Sequence, residues 1–135
     1  MKKSLSIILF LMLTACTMTP STDSIMPEIQ PVSLPDLGLA PELTNTTWLN
    51  VDSPLRLADL RGKVVALEMW TFGCINCQHV MPALKQWHET YRDQGLVIIG
   101  NHYPEFSFEE DLTNLQNAIA ENEIEYAVTQ DNDCR

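Results

Sequence analysis

Two cysteines separated by two residues, Cys74 and Cys77, are the part of this 135-residue chain whose residue types and spacing point most directly to chemistry. They stand in the stretch W-T-F-G-C-I-N-C-Q-H-V-M-P, residues 70–82. Such a pair can supply two metal ligands, form a structural disulfide or exchange disulfides with other proteins. The rest of the chain helps to choose among these three.

A zinc site and a structural disulfide both fit the cysteine pair poorly. Structural zinc usually takes four ligands, and the chain has neither a second C-x-x-C nor an H-x-x-x-H motif. His79 lies two residues after Cys77, about 200° around a helix, so it cannot share the site. His88 and His102 are expected to be ordinary surface or loop residues. A cross-link across so short a loop stabilises little, so we expect a redox-active pair with no metal and no cofactor.

The elements on either side of the pair indicate how it would work. Residues 64–70, V-V-A-L-E-M-W, predict a buried strand with both faces covered, and residues 74–94 predict a helix that Gly95 ends. Cys74 would open this helix, where unpaired N–H groups and the helix dipole favour an anion. We therefore expect a lowered pKa and an attacking thiolate at Cys74. Cys77, one turn further on, would then attack Cys74 and release the product.

The segments before and after this unit predict further α/β structure. Residues 46–51 and 55–57 predict a hairpin through the turn D-S-P, and residues 58–63 predict a single helical turn. Residues 96–100 predict a second buried strand. It should run parallel to the first, because the crossover between them is long.

The last part of the chain predicts one more helix and one more strand. Ser107 and Glu110 form an S-x-x-E pattern, which predicts a capping box at the start of the helix. The acidic run at residues 109–111 would complement the dipole of that helix. A short third strand is expected at residues 125–129.

The first 16 residues have the layout of an export signal. Two lysines precede an apolar run, residues 5–13, that is shorter than the roughly 20 residues of a membrane-spanning helix. Residues 13–16, L-T-A-C, resemble the bacterial lipoprotein box, which implies lipidation of Cys16; a plain secretory signal is the alternative. Residues 17–41 are rich in Pro, Ser and Thr and predict an extended tether. The expected organisation is a signal at 1–15, a lipidated cysteine and tether at 16–42, and a domain at 43–135.

Export and charge together limit the partners. A thiol pair outside the cytosol forms a disulfide or is kept reduced by dedicated proteins. We expect an extracytoplasmic protein, lipid-anchored on the periplasmic side of a bacterial membrane; Thr17 after the modified cysteine implies, by the lipoprotein resemblance, the outer membrane where one exists. The formal net charge of −10 argues against nucleic acid and against anionic lipid head groups as partners.

Residues 64–82, V-V-A-L-E-M-W-T-F-G-C-I-N-C-Q-H-V-M-P, resemble the active-site segment of thioredoxin-like proteins. They are most similar to the exported, membrane-tethered group typified by TlpA, ResA and the thioredoxin domain of DipZ, which is related to the redoxin and AhpC/TSA proteins. Trp70, four residues before Cys74, and Pro82, five after Cys77, match the family pattern. The resemblance implies a thioredoxin-like α/β fold, with an N-terminal hairpin, in which Trp70, Phe72 and Pro82 line the active site.

Glu68, six residues before Cys74, occupies the place of the buried acid of thioredoxin. A carboxylate on a buried strand loses solvation, which raises its pKa towards the range of a thiol. The resemblance implies that Glu68 takes the proton of Cys77 when the product is released. A carboxylate that points into solvent from the end of the strand is the alternative.

The resemblance implies a thiol-disulfide oxidoreductase that reduces disulfides of exported proteins, with apocytochrome c as one candidate and a membrane thiol donor as the source of electrons. It extends from about Leu43 to Asp131. Thioredoxin folds then add two strands, the first preceded by a cis-proline, and no candidate for these follows here. We therefore expect an incomplete fold: either a truncated relative of a longer enzyme, with Cys134 incidental, or a chain whose sheet a partner completes.

Two other functions stay open. Residues 71–74, T-F-G-C, resemble the T-x-x-C of peroxiredoxins, although Leu67 stands where their motif has proline. This would make the chain a thiol peroxidase. The other alternative is a non-catalytic thioredoxin-like or metal-binding module.

Overall fold

The computed structural model describes residues 35–133. All the strands and helices described lie in one compact unit that begins at residue 37. The elements are β1 (Thr47–Leu49), β2 (Val64–Trp70), α1 (Ile75–Tyr91), β3 (Leu96–His102), α2 (Leu112–Glu121) and β4 (Ala127–Gln130). The strands predicted at 64–70, 96–100 and 125–129 are confirmed to within two residues at each end.

The sheet has four strands in the order β1-β4-β3-β2, and β2, β3 and β4 are parallel. The ladder between β2 and β3 runs from Val64 opposite Leu96 to Trp70 opposite His102. Both parallel crossovers step in the same direction across the sheet, so right-handed connections place α1 and α2 on the same face. The core on that face combines both helices with three strands: Trp70, Met81, Leu84, Ile98, Leu115, Ile119 and Val128.

Within residues 35–133, strand β2 is covered on one face only, so the prediction of two covered faces is wrong. Leu67 and Met69 leave 48% and 53% of their surface exposed, whereas Trp70 on the other face is 2% exposed. The reason is that both crossover helices pack on the side of Trp70. The almost uniformly apolar sequence of β2 lacks the alternation that would reveal an open face.

The hairpin predicted from residues 46–51 and 55–57 is wrong as well. Strand β1 pairs antiparallel with β4, and residues 55–57 form no strand. The carboxylate of Glu42 accepts hydrogen bonds from the N–H groups of Leu57 (2.8 Å) and Ala58 (2.7 Å), at the start of a 3-10 turn. A turn signal in the sequence marks a bend but does not identify the distant strand with which β1 pairs.

Helix α1 begins and ends close to the predicted residues. Cys74 is its N-cap, and the 3-10 turn that follows the helix ends at Gly95, whose φ of +98° lies in the left-handed region that glycine adopts readily.

The start of α2 differs from the prediction. Asp111 is the N-cap, and its side chain accepts hydrogen bonds from the N–H groups of Thr113 and Asn114. The predicted capping box of Ser107 and Glu110 is therefore wrong. The sequence offers several acceptors in a row here, and the loop geometry decides which of them caps the helix.

No helix within residues 35–133 combines the length and the hydropathy of a membrane-spanning segment. The predicted signal at residues 1–15, the lipidated Cys16 and Cys134 lie outside the described residues, as does most of the predicted tether.

Candidate active site

The cysteine pair lies in the turn between β2 and the first turn of α1. Cys74 has an extended backbone, with φ of −83° and ψ of 114°, and Cys77 lies in the helix. The N–H of Cys74 donates to the carbonyl of Thr71 at 3.2 Å, and its carbonyl accepts from the N–H of Gln78 at 3.1 Å. Both cysteines are free thiols that are partly exposed.

The two thiols have opposite pKa shifts. A hydrogen bond from the Cys77 thiol, followed by the N–H groups of Cys77 and Asn76, lowers the pKa of Cys74, while desolvation and the charge of Glu105 oppose this. The pKa of Cys77 is raised, first by burial, next by sharing its proton with Cys74, and also by the charge of Glu68. Cys74 is therefore the more acidic thiol of the pair, and it is stabilised at the helix end where an anion is favoured.

Glu68 lies on the face of β2 that packs against α1, and its side chain is partly buried. Burial raises the pKa of Glu68, and a hydrogen bond from the hydroxyl of Tyr126 (3.4 Å to Oε2) acts in the opposite direction. Burial and the charge of Glu68 raise the pKa of Tyr126, so that its hydroxyl keeps its proton and acts as a donor. The charge of Glu68 also contributes to the raised pKa of Cys77.

The other residues expected around the site differ in their placement. Trp70 is buried in the core, with its ring edge against His102 at 5.3 Å between centroids. Phe72 is partly buried, and its ring stacks on that of His102, with ring centroids 5.3 Å apart. Pro82 lies inside α1 and is exposed. It lines a cavity of about 780 Å³ beside α1, together with Tyr126, and neither cysteine lines that cavity.

His102 is completely buried at the end of β3, so the prediction of a surface or loop residue is wrong. Neither ring nitrogen has a hydrogen-bond partner among the described residues, and the same is true of the indole nitrogen of Trp70. Burial lowers the pKa of His102, although the charge of Glu109 acts in the opposite direction. The predicted strand ends at residue 100, whereas β3 runs on to His102, which is opposite Trp70 in the parallel ladder.

Glu109 is the functional candidate that the sequence did not reveal. Its carboxylate is completely buried and accepts hydrogen bonds from the hydroxyl of Thr71 and from the N–H groups of Gly73 (2.9 Å), Glu105 (2.8 Å) and Phe106 (3.0 Å). Burial alone would raise the pKa of Glu109, but these hydrogen bonds outweigh it and the pKa is lowered. A run of three acidic residues gives no indication of which one turns inward.

Gly73 is required by the close approach of this carboxylate. A Cβ atom at residue 73 would lie 2.5 Å from Oε1 of Glu109 and 3.8 Å from the ring of Phe108. The residue immediately before the first cysteine therefore contacts the loop that follows β3. Glu109 joins the two loops into a single structure.

Residues 35–133 contain no group of three or more His, Cys, Asp or Glu side chains arranged to hold a metal ion. The thiols of Cys74 and Cys77 and the partly buried carboxylate of Glu68 are the candidates for chemistry near the start of α1.

The model of the AhpC/TSA family matches residues 37–135. The chain belongs to the AhpC/TSA family. Protein DipZ of Mycobacterium bovis is 41% identical over 102 residues, which are 73% of this chain and 15% of DipZ. The chain thus spans a small part of this curated relative.

Solved structures of thioredoxin-like proteins agree with this AhpC/TSA assignment. A thioredoxin-like superfamily protein superimposes with a TM-score of 0.62 and 28% identity, covering 68% of this chain and 61% of the other. The thioredoxin domain of a thiol-disulfide oxidoreductase from Bacteroides vulgatus gives a TM-score of 0.56 and 26% identity, covering 73% and 65%. The expected resemblance to TlpA/DipZ-type proteins is confirmed, and the fold is a partial thioredoxin-like α/β fold.

Proposed function

We propose that this chain is a thiol-disulfide oxidoreductase that reduces disulfides of exported proteins, with Cys74 as the nucleophile and Cys77 as the resolving thiol. The observation that carries the proposal is the placement of two free thiols at the start of α1, with Cys74 as the N-cap and Cys77 in the first turn. The lowered pKa of Cys74 and the raised pKa of Cys77 agree with it. Membership of the AhpC/TSA family and the similarity to DipZ support it.

The reaction balances as a two-electron exchange. The Cys74 thiolate attacks one sulfur of the partner disulfide, which forms a mixed disulfide and expels the other partner sulfur as a thiolate. Cys77 then loses its proton and attacks the Cys74 sulfur, so that the second partner sulfur leaves. The partner gains two electrons, and the chain loses them when the Cys74–Cys77 disulfide forms; a thiol donor then reduces that disulfide.

Glu68 is proposed as the group that accepts the Cys77 proton. Its pKa is raised by burial and the pKa of Cys77 is raised as well, so a free Cys77 would seldom be deprotonated near neutral pH. A carboxylate whose pKa lies closer to that of the thiol takes a proton more effectively than one that is fully solvated.

The site is proposed to work outside the cytosol. The export signal and the lipoprotein box of residues 1–16 support a lipid anchor at Cys16, a tether up to residue 42 and a domain from residue 43. A membrane thiol protein would then supply the electrons, and exported proteins with disulfides, apocytochrome c among them, would be the substrates.

A thiol peroxidase is the second function to be tested, because of the AhpC/TSA match. A thiolate that attacks a peroxide needs a donor for the leaving oxygen. The hydroxyl of Thr71, the T of T-x-x-C, already donates its proton to Glu109. This contact favours disulfide exchange.

The proposal is tested by reduction of a disulfide-linked model peptide by the full-length protein. Cys74→Ser should abolish turnover, and Cys77→Ser should accumulate the mixed disulfide, which is detected by mass spectrometry. Cys134→Ser is the matched control and should retain wild-type activity. Equal activity in the Cys74 and Cys134 variants would refute the mechanism, and rapid consumption of hydrogen peroxide without peptide reduction would establish the peroxidase instead.

A further inference from the structure

Two phenylalanines of the loop between β3 and α2 are exposed next to the cysteine turn. Phe106 and Phe108 leave 58% and 53% of their surface open to solvent, and their rings stack at 5.7 Å with 9° between the planes. Phe108 also contacts Phe72, with ring centroids 5.8 Å apart. We call these three rings, Phe72, Phe106 and Phe108, the aromatic shelf.

The aromatic shelf is held at a fixed position relative to Cys74. The ring of Phe108 lies 3.8 Å from the Cβ position of residue 73, so it contacts the residue that precedes Cys74. Glu109 binds the N–H of Phe106 and the N–H of Gly73 with the same carboxylate. A molecule bound on the shelf would therefore lie beside the reactive sulfur.

The surroundings of the shelf are acidic. The charge of Glu105 reaches Cys74, and the side chain of Glu110 is exposed on the same loop. The whole chain has a net charge of −10. Charge complementarity therefore favours a partner segment that carries lysine or arginine, and disfavours an acidic one.

We propose that the aromatic shelf binds an apolar side chain next to the disulfide cysteine of an extended, basic segment of a partner protein. The inference rests on the proposed function, because the sulfur of such a segment would have to reach Cys74. The apolar side chain of the partner packs against the exposed rings of the shelf. The carboxylates of Glu105 and Glu110 favour positive charge on the partner segment.

The experiment compares three symmetric disulfide-linked peptides: Arg-Phe-Cys-Arg, Arg-Ala-Cys-Arg and Glu-Phe-Cys-Glu. The full-length reduced protein should reduce the first about three- to tenfold faster than the second. The third should be slower than the first at low salt, and the difference should shrink at high salt. Bis(2-hydroxyethyl) disulfide, which has no side chain for the shelf, reports the activity of the thiol pair alone.

The double variant Phe106→Ala/Phe108→Ala should bring the ratio of the reduction rates of the Phe and Ala peptides close to one. Its rate with bis(2-hydroxyethyl) disulfide should stay unchanged. Tyr91→Ala removes an aromatic ring that is 45% exposed at the far end of α1, and it should leave the ratio as in wild type. A ratio near one in wild type, or an unchanged ratio in the double variant, overturns the proposal. The same conclusion follows if the double variant only loses self-association in sedimentation, because the shelf would then join two copies.

Failure of the proposed function gives a different result. If no disulfide is reduced, including bis(2-hydroxyethyl) disulfide, the thiol mechanism is wrong. NMR-monitored binding of the peptide Arg-Phe-Ser-Arg, which has no thiol, then tests binding to the aromatic shelf independently of the thiol chemistry. Shifts confined to the loop of Phe106 and Phe108 would support it, and an absence of shifts there would reject it.

Discussion

At the scale of single residues, the proton of Cys77 is the critical one. Before the reaction, the Cys77 thiol donates a hydrogen bond to Cys74. This hydrogen bond is the first of the causes that lower the pKa of Cys74. Once Cys74 has formed a mixed disulfide, the same proton must leave Cys77. Glu68 has the raised pKa and the electrostatic contact with Cys77 that suit this second step.

Glu68→Gln should therefore slow release of the product without slowing the first attack. Loss of general-base assistance is expected to reduce the release rate about tenfold or more near neutral pH, although the pKa of Cys77 itself should fall once the charge is gone. Rapid-quench measurement of the mixed disulfide gives the release rate, and alkylation by iodoacetamide reports the first step. Glu89→Gln, on the exposed face of α1, serves as the control; equal release rates in both variants would contradict the assignment.

At the scale of elements, the site consists of two loops that leave neighbouring parallel strands. Glu109 satisfies four donors on these loops: the hydroxyl of Thr71 and the N–H groups of Gly73, Glu105 and Phe106. A buried carboxylate with this many donors stays ionised and stabilises the loops. Because its folded pKa is lowered, its stabilising contribution is present above the unfolded value of about 4.3 and is lost as the pH falls below it.

Glu109→Ala should destabilise the protein by about 3 kcal/mol or more, because it leaves several buried donors without an acceptor. Urea unfolding at pH 7 gives the free energy of unfolding. Glu110→Ala removes the adjacent exposed carboxylate and should change that free energy by less than about 0.5 kcal/mol. Similar losses in the two variants would show that Glu109 does not join the loops.

Local pattern predicted the elements but not all of their partners. The apolar run of β2, the long crossover and Gly95 identified the strand, helix and strand that position the cysteines, because each signal is local. The pairing of β1 with β4 depends on residues about 80 positions apart in the chain, between Thr47 and Gln130, and no local turn signal contains it. Glu109 was missed for a similar reason, since two of its partners, Thr71 and Gly73, lie on a loop more than 30 residues away.

At the scale of the whole molecule, burial of His102 links stability to pH. Its pKa is lowered by burial, so the unfolded chain takes up a proton near its ordinary pKa of about 6.5 before the folded protein does. The stabilising contribution of neutral His102 is therefore complete above that pH and is lost as the pH falls. The charge of Glu109 weakens the effect of His102. The partly buried His88, whose pKa is also lowered by burial, adds to the loss of stability as the pH falls.

The free energy of unfolding should fall between pH 7 and pH 5, by at most about 1.4 kcal/mol per pH unit for each proton taken up. His102→Phe should make this fall less steep, because phenylalanine fills the same apolar space and cannot be protonated. Urea titrations at pH 7, 6 and 5 measure the slope, with His79→Phe, an exposed position on α1, as the control. An identical slope in wild type and His102→Phe would show that His102 does not contribute.

Because Trp70 and His102 are opposite each other in the ladder, the two loops leave the sheet side by side, and the N–H of Tyr103 still donates to the carbonyl of Trp70 at 2.8 Å. The distance from the sulfur to the neighbouring loop is therefore set by backbone pairing and not by the length of the helix between them. Insertions or deletions at the far end of α1 could be accepted during evolution without moving the reactive centre. The sheet therefore fixes the two loops of the site relative to each other, while the connection between the two strands can change in length.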